Sequence, residues 1–208
     1  MTREEFEAAA RISVSDMTFG RLEAFAREAI AWNRAINLVA PSQIGLLWPR
    51  HVVDSAQLIH FAGEAPRVWA DIGTGGGFPG MVIAILAAEL LPGCHVHLIE
   101  VDQRKSAFLA HVARQMALGC TVHAEESGRV GPIGADVVSA RALAPLDRLI
   151  GLAARHLAPG GRALLLKGAR HGAEIAAARA VWDFSLKVHP SLTDPDAVIL
   201  EIGSPRHV

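Results

Sequence analysis

The 208-residue sequence contains no tyrosine, and its other aromatics are seven phenylalanines and four tryptophans. Sequence-tolerant binding of single-stranded RNA or DNA uses stacking surfaces and many cations. Lys and Arg total 20 against 21 Asp and Glu, leaving a net charge of −1. A generic nucleic-acid-binding module is therefore disfavoured. Cysteine is scarce as well, and Cys94 and Cys120 are too few for a disulfide framework or a four-thiolate zinc site. They read as two small, buried or half-buried residues. The histidines lack short metal-ligand spacings. His95-Val96-His97 would put two rings on one strand face, and no metal site is read there. Long apolar runs are missing: Met81 to Ala88 is closed by Glu89, far short of the ~20 residues that span a bilayer. Met1-Thr2-Arg3-Glu4-Glu5 has no apolar signal-peptide core, so a cytoplasmic protein without membrane association is expected.

What is abundant is apolar residues, 51% of the chain, enough for a substantial core in one large domain or one domain with an extension. The most informative stretch is Asp71-Ile72-Gly73-Thr74-Gly75-Gly76-Gly77-Phe78-Pro79-Gly80. An apolar strand precedes it and an apolar helix follows, with Pro79 suited to that helix's first turn. Glycines admit a ligand close to the backbone, and a helix start supplies free N–H groups, so the stretch reads as a nucleotide-cofactor site. Two patterns fit. Gly75-x-Gly77-x-x-Gly80 matches the dinucleotide fingerprint. Asp71-x-Gly-x-Gly-x-Gly77 matches methyltransferases that use S-adenosylmethionine, whose ammonium group needs an acidic neighbour such as Asp71, directly or through water.

Residues 3–11 and 16–34 read as helices, the second with a stripe of Leu22, Phe25, Ala26, Ala29 and Ile30 and a cap at Ser15 or Asp16. A third helical piece is expected from about Ser42 to Phe61. There His51, Asp54 and Ser55 share one face as a polar cluster, structural or beside the cofactor, and lack the strand-to-helix elbow of a hydrolase. Residues 1–64 thus form a helical extension and 65–208 the cofactor domain. Strand 95–100 ends on Glu100, 23 residues after Gly77, the offset at which a carboxylate meets the adenosine ribose. A helix from Gln103 to Leu118, a strand at 121–124 and the turn Glu125-Glu126-Ser127, placed over the adenine, follow. Strand 135–139 leads to Ala140-Arg141, a helix runs from Pro145 to His156, strand 162–166 ends at Lys167, and 173–181 is a last helix. Arg141, Arg148, Arg155, Arg162, Lys167 and Arg170 face only Asp147, a locally basic third of the domain. Two closing strands without an intervening helix force one antiparallel strand into an otherwise parallel sheet. That leaves no chain for a dehydrogenase's substrate domain.

Asn33-x-x-x-Asn37-Leu38, His51-x-x-Asp54-Ser55, the glycine stretch to Pro79-Gly80, Glu100-x-x-x-Arg104-Lys105, Ser139-Ala140-Arg141-Ala142 and Leu166-Lys167-Gly168 occur in that order. Together they closely resemble the bacterial glucose-inhibited division protein B family, the small-subunit ribosomal RNA methyltransferases G. The resemblance implies an α/β, Rossmann-like class I methyltransferase with a seven-stranded mixed sheet. It implies methyl transfer from S-adenosylmethionine to N7 of one guanine in 16S ribosomal RNA, presented as RNA or small ribosomal subunit. It places Asp71, Gly73 and Gly75 under the methionine portion with Thr74 and Phe78 of the same turn, Glu100 on the ribose, and Ala124 and Glu125 beside adenine. Arg141 falls near the transferred methyl as catalytic, cofactor and RNA contact, with Lys167 and His51 toward RNA. One position departs from the family pattern: Glu126 stands where an Arg often follows the acid, with Arg129 as the nearby substitute. The chemistry is consistent with what is missing, because N7 carries a lone pair and no proton and needs alignment rather than a general base. Strand four is followed by no Asn-Pro-Pro-Tyr, and neither cysteine lies in a strand-end loop. The competing readings are a NAD-dependent oxidoreductase and a non-catalytic RNA-binding module with a vestigial cofactor fold.

Overall fold

A computed structural model describes residues 1–208. Seven strands form one sheet in the order β3-β2-β1-β4-β5-β7-β6: β1 (Val68–Ile72), β2 (His95–Ile99), β3 (Cys120–His123), β4 (Ala135–Arg141), β5 (Leu157–Lys167), β6 (Trp182–Pro190) and β7 (Val198–His207). β1 to β5 pair in parallel, while β7 runs antiparallel to both β5 and β6. This is the mixed sheet that the two helix-free closing strands predict. Those strands are longer than expected because their exposed ends pair with each other out to Trp182 and His207.

The strands alternate their apolar side chains between two cores, as the two-residue period requires. Trp69, Leu164 and Leu166 join a core with α4 (Gly80–Leu90) and α5 (Gln103–Gln115), whereas Ala70, Ile72, Ala163 and Leu165 join one with α6 (Leu146–His156) and α7 (His171–Arg179). α1 (Arg3–Ala10) and α2 (Asp16–Trp32) add an outer layer to the first core: Phe6, Leu22 and Phe25 are fully buried in it. Thr2 and Glu5 form a reciprocal capping box at α1, and Ser15 is the cap of α2.

The piece expected as one helix at 42–61 is helical but broken. It is a 3₁₀ turn at Pro41–Leu46, a π-type turn at Trp48–Val53, an α-turn α3 (Asp54–Ala56) and a second 3₁₀ turn at Gln57–Phe61. Pro49 contributes no N–H, so the usual ladder is interrupted at that point. Strand order reverses between β1 and β4, and the glycine turn leaves the carboxyl end of β1 at that switch point, where open α/β sheets form their ligand crevice. No helix is long and apolar enough to cross a membrane.

Candidate functional site

The turn between β1 and α4 is closed on itself by two acids. Asp71 has no solvent exposure. Its Oδ2 accepts the Gly80 N–H at 2.9 Å, and its Oδ1 accepts the Ser139 hydroxyl at 2.6 Å, which in turn accepts the Trp69 indole N–H at 2.9 Å. Burial drives the Asp71 carboxyl up to about 6, against the hydrogen bonds from Ser139 and Gly80. Gly80 is required by space: a Cβ there would lie 2.5 Å from Leu98 Cδ2 and 2.7 Å from Asp71 Oδ2. The second acid, Glu100, accepts the Gly75 N–H on Oε2 and the Asp102 N–H on Oε1, both at 2.8 Å.

This arrangement corrects one expectation. Gly73 and Thr74 give their N–H groups to Ile99 O, Gly77 and Phe78 to Thr74 O, and Gly80 to Asp71, so the helix start does not offer free donors. Pro79 lies at the cap position, one residue before the helix, rather than inside its first turn. Apart from Gly76, the turn spends its N–H groups on backbone carbonyls and on Glu100 and Asp71, and a single free donor is not a pyrophosphate cradle. Of the two patterns that the glycines match, the dinucleotide fingerprint loses its physical basis.

A cavity of about 760 Å³ opens over this turn. Gly73, Thr74, Gly75, Phe78, Glu100, Glu125 and Arg141 line it, together with Glu126, Ser127 and His51, the last expected toward RNA. Asp71 does not, being sealed beneath the turn, and neither does Ala124, whose carbonyl accepts from Gln103 Nε2. Thr74 Oγ1 is buried in the wall next to the Asp71 carboxylate, which its hydroxyl helps to hold ionised. Sequence reasoning missed the roof, formed by Leu38, Val39 and Ala40 of the N-terminal layer. Asn33 Oδ1 accepts both the Leu38 and Val39 N–H groups, at 2.8 and 2.9 Å, which is the physical content of the Asn33-to-Leu38 motif. His156, also unforeseen, is fully buried at the end of α6 and donates from Nε2 to Ser127 O at 2.9 Å, holding the 125–127 turn from behind.

A second cavity, about 790 Å³, lies against the first, and the two share Arg141, Ala142, Leu143 and Ala144 as a common wall. Arg141 is the last residue of β4, paired with Leu166, rather than part of the following loop. Its guanidinium donates to Arg50 O at 2.9 Å and to His51 Nδ1 at 2.7 Å, and lies 3.4 Å from Asp54 Oδ2 and 5.7 Å from the Phe78 ring centre. A guanidinium can only donate, so His51 Nδ1 accepts and the neutral ring carries its proton on Nε2. Burial, with the charges of Arg141 and Arg50, brings His51 down to about 4. Ser55 is not part of this group: its hydroxyl donates to His51 O at 2.5 Å.

Lys167 lines the second cavity, but its role differs from the one expected. Only 8% of its side chain is exposed, and Nζ donates to Glu174 Oε2 at 2.7 Å and Ala144 O at 2.8 Å. Its charge is neutralised and spent on tying α7 to the common wall, which corrects its reading as an RNA-contacting cation. Arg162 likewise pairs with Glu201, whereas the exposed Arg155 donates to Val130 O and makes no ion pair. Arg148, at the first cavity, and Arg170, at the second, make no ion pair. Arg129 faces Glu126 at 3.9 Å, so this pair carries no net charge.

A family model described as rRNA small subunit methyltransferase G matches residues 19–198. The chain is 47% identical over 208 residues to the ribosomal RNA small subunit methyltransferase G of Cereibacter sphaeroides, covering 100% of both. It is 46% identical over 193 residues to that of Ruegeria pomeroyi, covering 92% of this chain and 93% of the relative. Among solved structures, a SAM-dependent methyltransferase from Aquifex aeolicus superposes with a TM-score of 0.59 at 13% identity, covering 86% of this chain and 98% of the other. A match through the glycine turn, the 141 wall and both closing strands leaves one conclusion: the chain belongs to the rRNA small subunit methyltransferase G family.

Proposed function

We propose that the protein transfers a methyl group from S-adenosylmethionine to N7 of one guanine in 16S ribosomal RNA, presented as RNA or as the small ribosomal subunit. The observation that carries the cofactor half is the first cavity: a glycine turn with all but the Gly76 donor spent, and Glu100 at its edge with lone pairs left over. Such a carboxylate suits the two ribose hydroxyls, and no phosphate has to be accommodated. Gly73, Thr74, Gly75 and Phe78 would hold the methionine portion, and the 125–127 turn the adenine. Asp71 is a positioning residue that sets the turn from below rather than a direct contact. The cofactor supplies an electrophilic methyl group on a sulfonium. With it bound, the guanine N7 lone pair would take that methyl group in line, the C–S electron pair staying on sulfur and the positive charge passing to the purine.

No proton moves in that step, so the protein's task is alignment in the common wall. The target base occupies the second cavity, out of its stack, with N7 toward the first cavity and O6 toward Arg141. Arg170 and Arg148 are the uncommitted cations for phosphate. The test is to incubate the protein with labelled S-adenosylmethionine and small subunits from cells lacking this methylation, then identify the modified nucleoside by mass spectrometry. 7-Methylguanosine is expected. A different methylated nucleoside would overturn the target, and no transfer to subunit, naked RNA or assembly intermediate would overturn the activity in favour of a binding module.

A further inference from the structure

The second cavity contains two carboxylates, each with one filled oxygen and one largely free, and they differ in their neighbours: Glu174 pairs with Lys167, whereas Asp54 faces the Arg141 guanidinium. Glu174 Oε2 accepts from both Lys167 Nζ and the Leu146 N–H. Asp54 is asymmetric. Its Oδ1 is filled by Gln57 Nε2 and by the Thr193 hydroxyl, both at 2.8 Å, whereas its Oδ2 has only the distant Arg141 Nη1 at 3.4 Å. The side chain is 15% exposed and lines the second cavity but not the first. Gln57 is itself fixed, accepting the Leu192 N–H at 2.8 Å, so the carboxylate cannot turn its filled oxygen outward without breaking these bonds.

Order along the wall matters here. Moving from the first cavity into the second, one meets the opening to the cofactor site, then the donor-only Arg141, then the acceptor-only Asp54. Along one edge of guanine the groups run N7, O6, N1–H and N2–H₂: nucleophile, acceptor, donor, donor. We propose that Asp54 is a specificity-determining residue, whose Oδ2 accepts both the N1–H and an N2–H of the target guanine while Arg141 donates to O6. This inference rests on the guanine-N7 reading above. Adenine placed the same way sets its amino donor against the Arg141 donor and its N1 lone pair against a carboxylate oxygen, so it is rejected by unpaired buried groups at two adjacent positions. Pyrimidines have no N7 to present.

The test compares guanosine with inosine, which keeps N7, O6 and N1–H but lacks the N2 amino group. Small subunits are reconstituted with RNA carrying either base at the position the wild-type enzyme methylates, and kcat/KM is measured for the wild type and for Asp54→Asn. In the variant the Asn oxygen stays with Gln57 and Thr193, which leaves its NH₂ at the Oδ2 position, donor against donors. The wild type should prefer guanosine by on the order of tenfold, as one hydrogen bond to a charged group implies. Asp54→Asn should lower guanosine methylation on the order of a hundredfold and bring the guanosine-to-inosine ratio near unity. Its S-adenosylmethionine affinity by calorimetry should be unchanged. A variant that loses activity while keeping the wild-type ratio would overturn the proposal, as would a wild type indifferent to inosine. Failure of the wild type to form 7-methylguanosine on natural subunits would instead overturn the reading on which it rests.

Discussion

The two cavities on either side of Arg141 are built in different ways. The first has as its floor the backbone of one contiguous turn, 73–78, and residues at the ends of β2, β3 and β4, with Leu38–Ala40 and His51 closing it from the N-terminal layer. Its hydrogen bonds run between near neighbours in the sheet, such as Gly75 to Glu100 and Gly80 to Asp71. The second is walled by side chains drawn from Asp54 and Gln57, from 141–145, from 166–177 and from 191–199. A cavity made from a turn repeats its chemistry wherever the turn recurs, while one made from distant side chains can be respecified residue by residue. That is the division expected between a common methyl donor and a particular acceptor.

Arg141→Ala breaks the comparison most severely, because this side chain belongs to both cavities. It would leave Asp54 buried beside an empty place and release Arg50 O and His51. Unfolding in denaturant should show a loss of about 3 kcal/mol, the scale for removing one partner of a buried ion pair, and methylation should fall by more than about a hundredfold. Cofactor binding measured on the folded fraction should survive. Equal loss of cofactor binding and methylation would mean that the wall is not a boundary.

Glu100→Ala confines the damage to the first cavity. Affinity for S-adenosylmethionine should drop on the order of ten- to a hundredfold, since hydrogen bonds to a charged group contribute roughly 1.5–3 kcal/mol, with RNA affinity intact. Unchanged calorimetric affinity would remove Glu100 from the ribose. Within the second cavity, Lys167→Ala and Arg170→Ala should separate a structural cation from a binding one. The first should lower stability by about 1–2 kcal/mol and leave the salt dependence of RNA binding alone. The second should leave stability alone and reduce that salt slope by about one. Identical salt slopes for the two variants would erase the distinction.

The smallest expected effect concerns acid. With its folded-state value near 6 and an ordinary value of 3.8, Asp71 binds more proton in the native state between about pH 4 and 6. Its contribution to stability is therefore present at low pH and lost as pH rises through that window. His51, held near 4 from 6.5, acts with the opposite sign, since its contribution is lost as pH falls from about 6.5 to 4. Asp71→Asn should make the slope of stability against pH between 4 and 6 more positive, by at most about 1.4 kcal/mol per pH unit. An unchanged slope in pH-resolved thermal melts would mean that the carboxyl is not titrating there.

The legibility of the molecule follows the same division. Strand, glycine turn, helix and second acid lie within one βαβ unit, where sequence offset translates directly into position. Glu100 could therefore be named from its offset and the glycine turn from its pattern, and the antiparallel end of the sheet from two strands without a helix between them. Lys167 and Arg141 could be found as motif residues, but not their partners. Whether a cation is free or spent depends on a carboxylate brought from elsewhere in the chain, Glu174 on α7 for one and Asp54 on α3 for the other. The Leu38–Ala40 roof and the His156 anchor were likewise invisible, because nothing local marks a loop as touching a turn far along the chain, as Leu38 does at Gly76. A nucleotide-cofactor site was thus encoded in a contiguous stretch, whereas the second cavity came into existence only when the sheet brought α3, the end of β4 and the β6–β7 connection together. Backbone geometry repeats with local sequence, but side-chain partnership is decided by the whole fold.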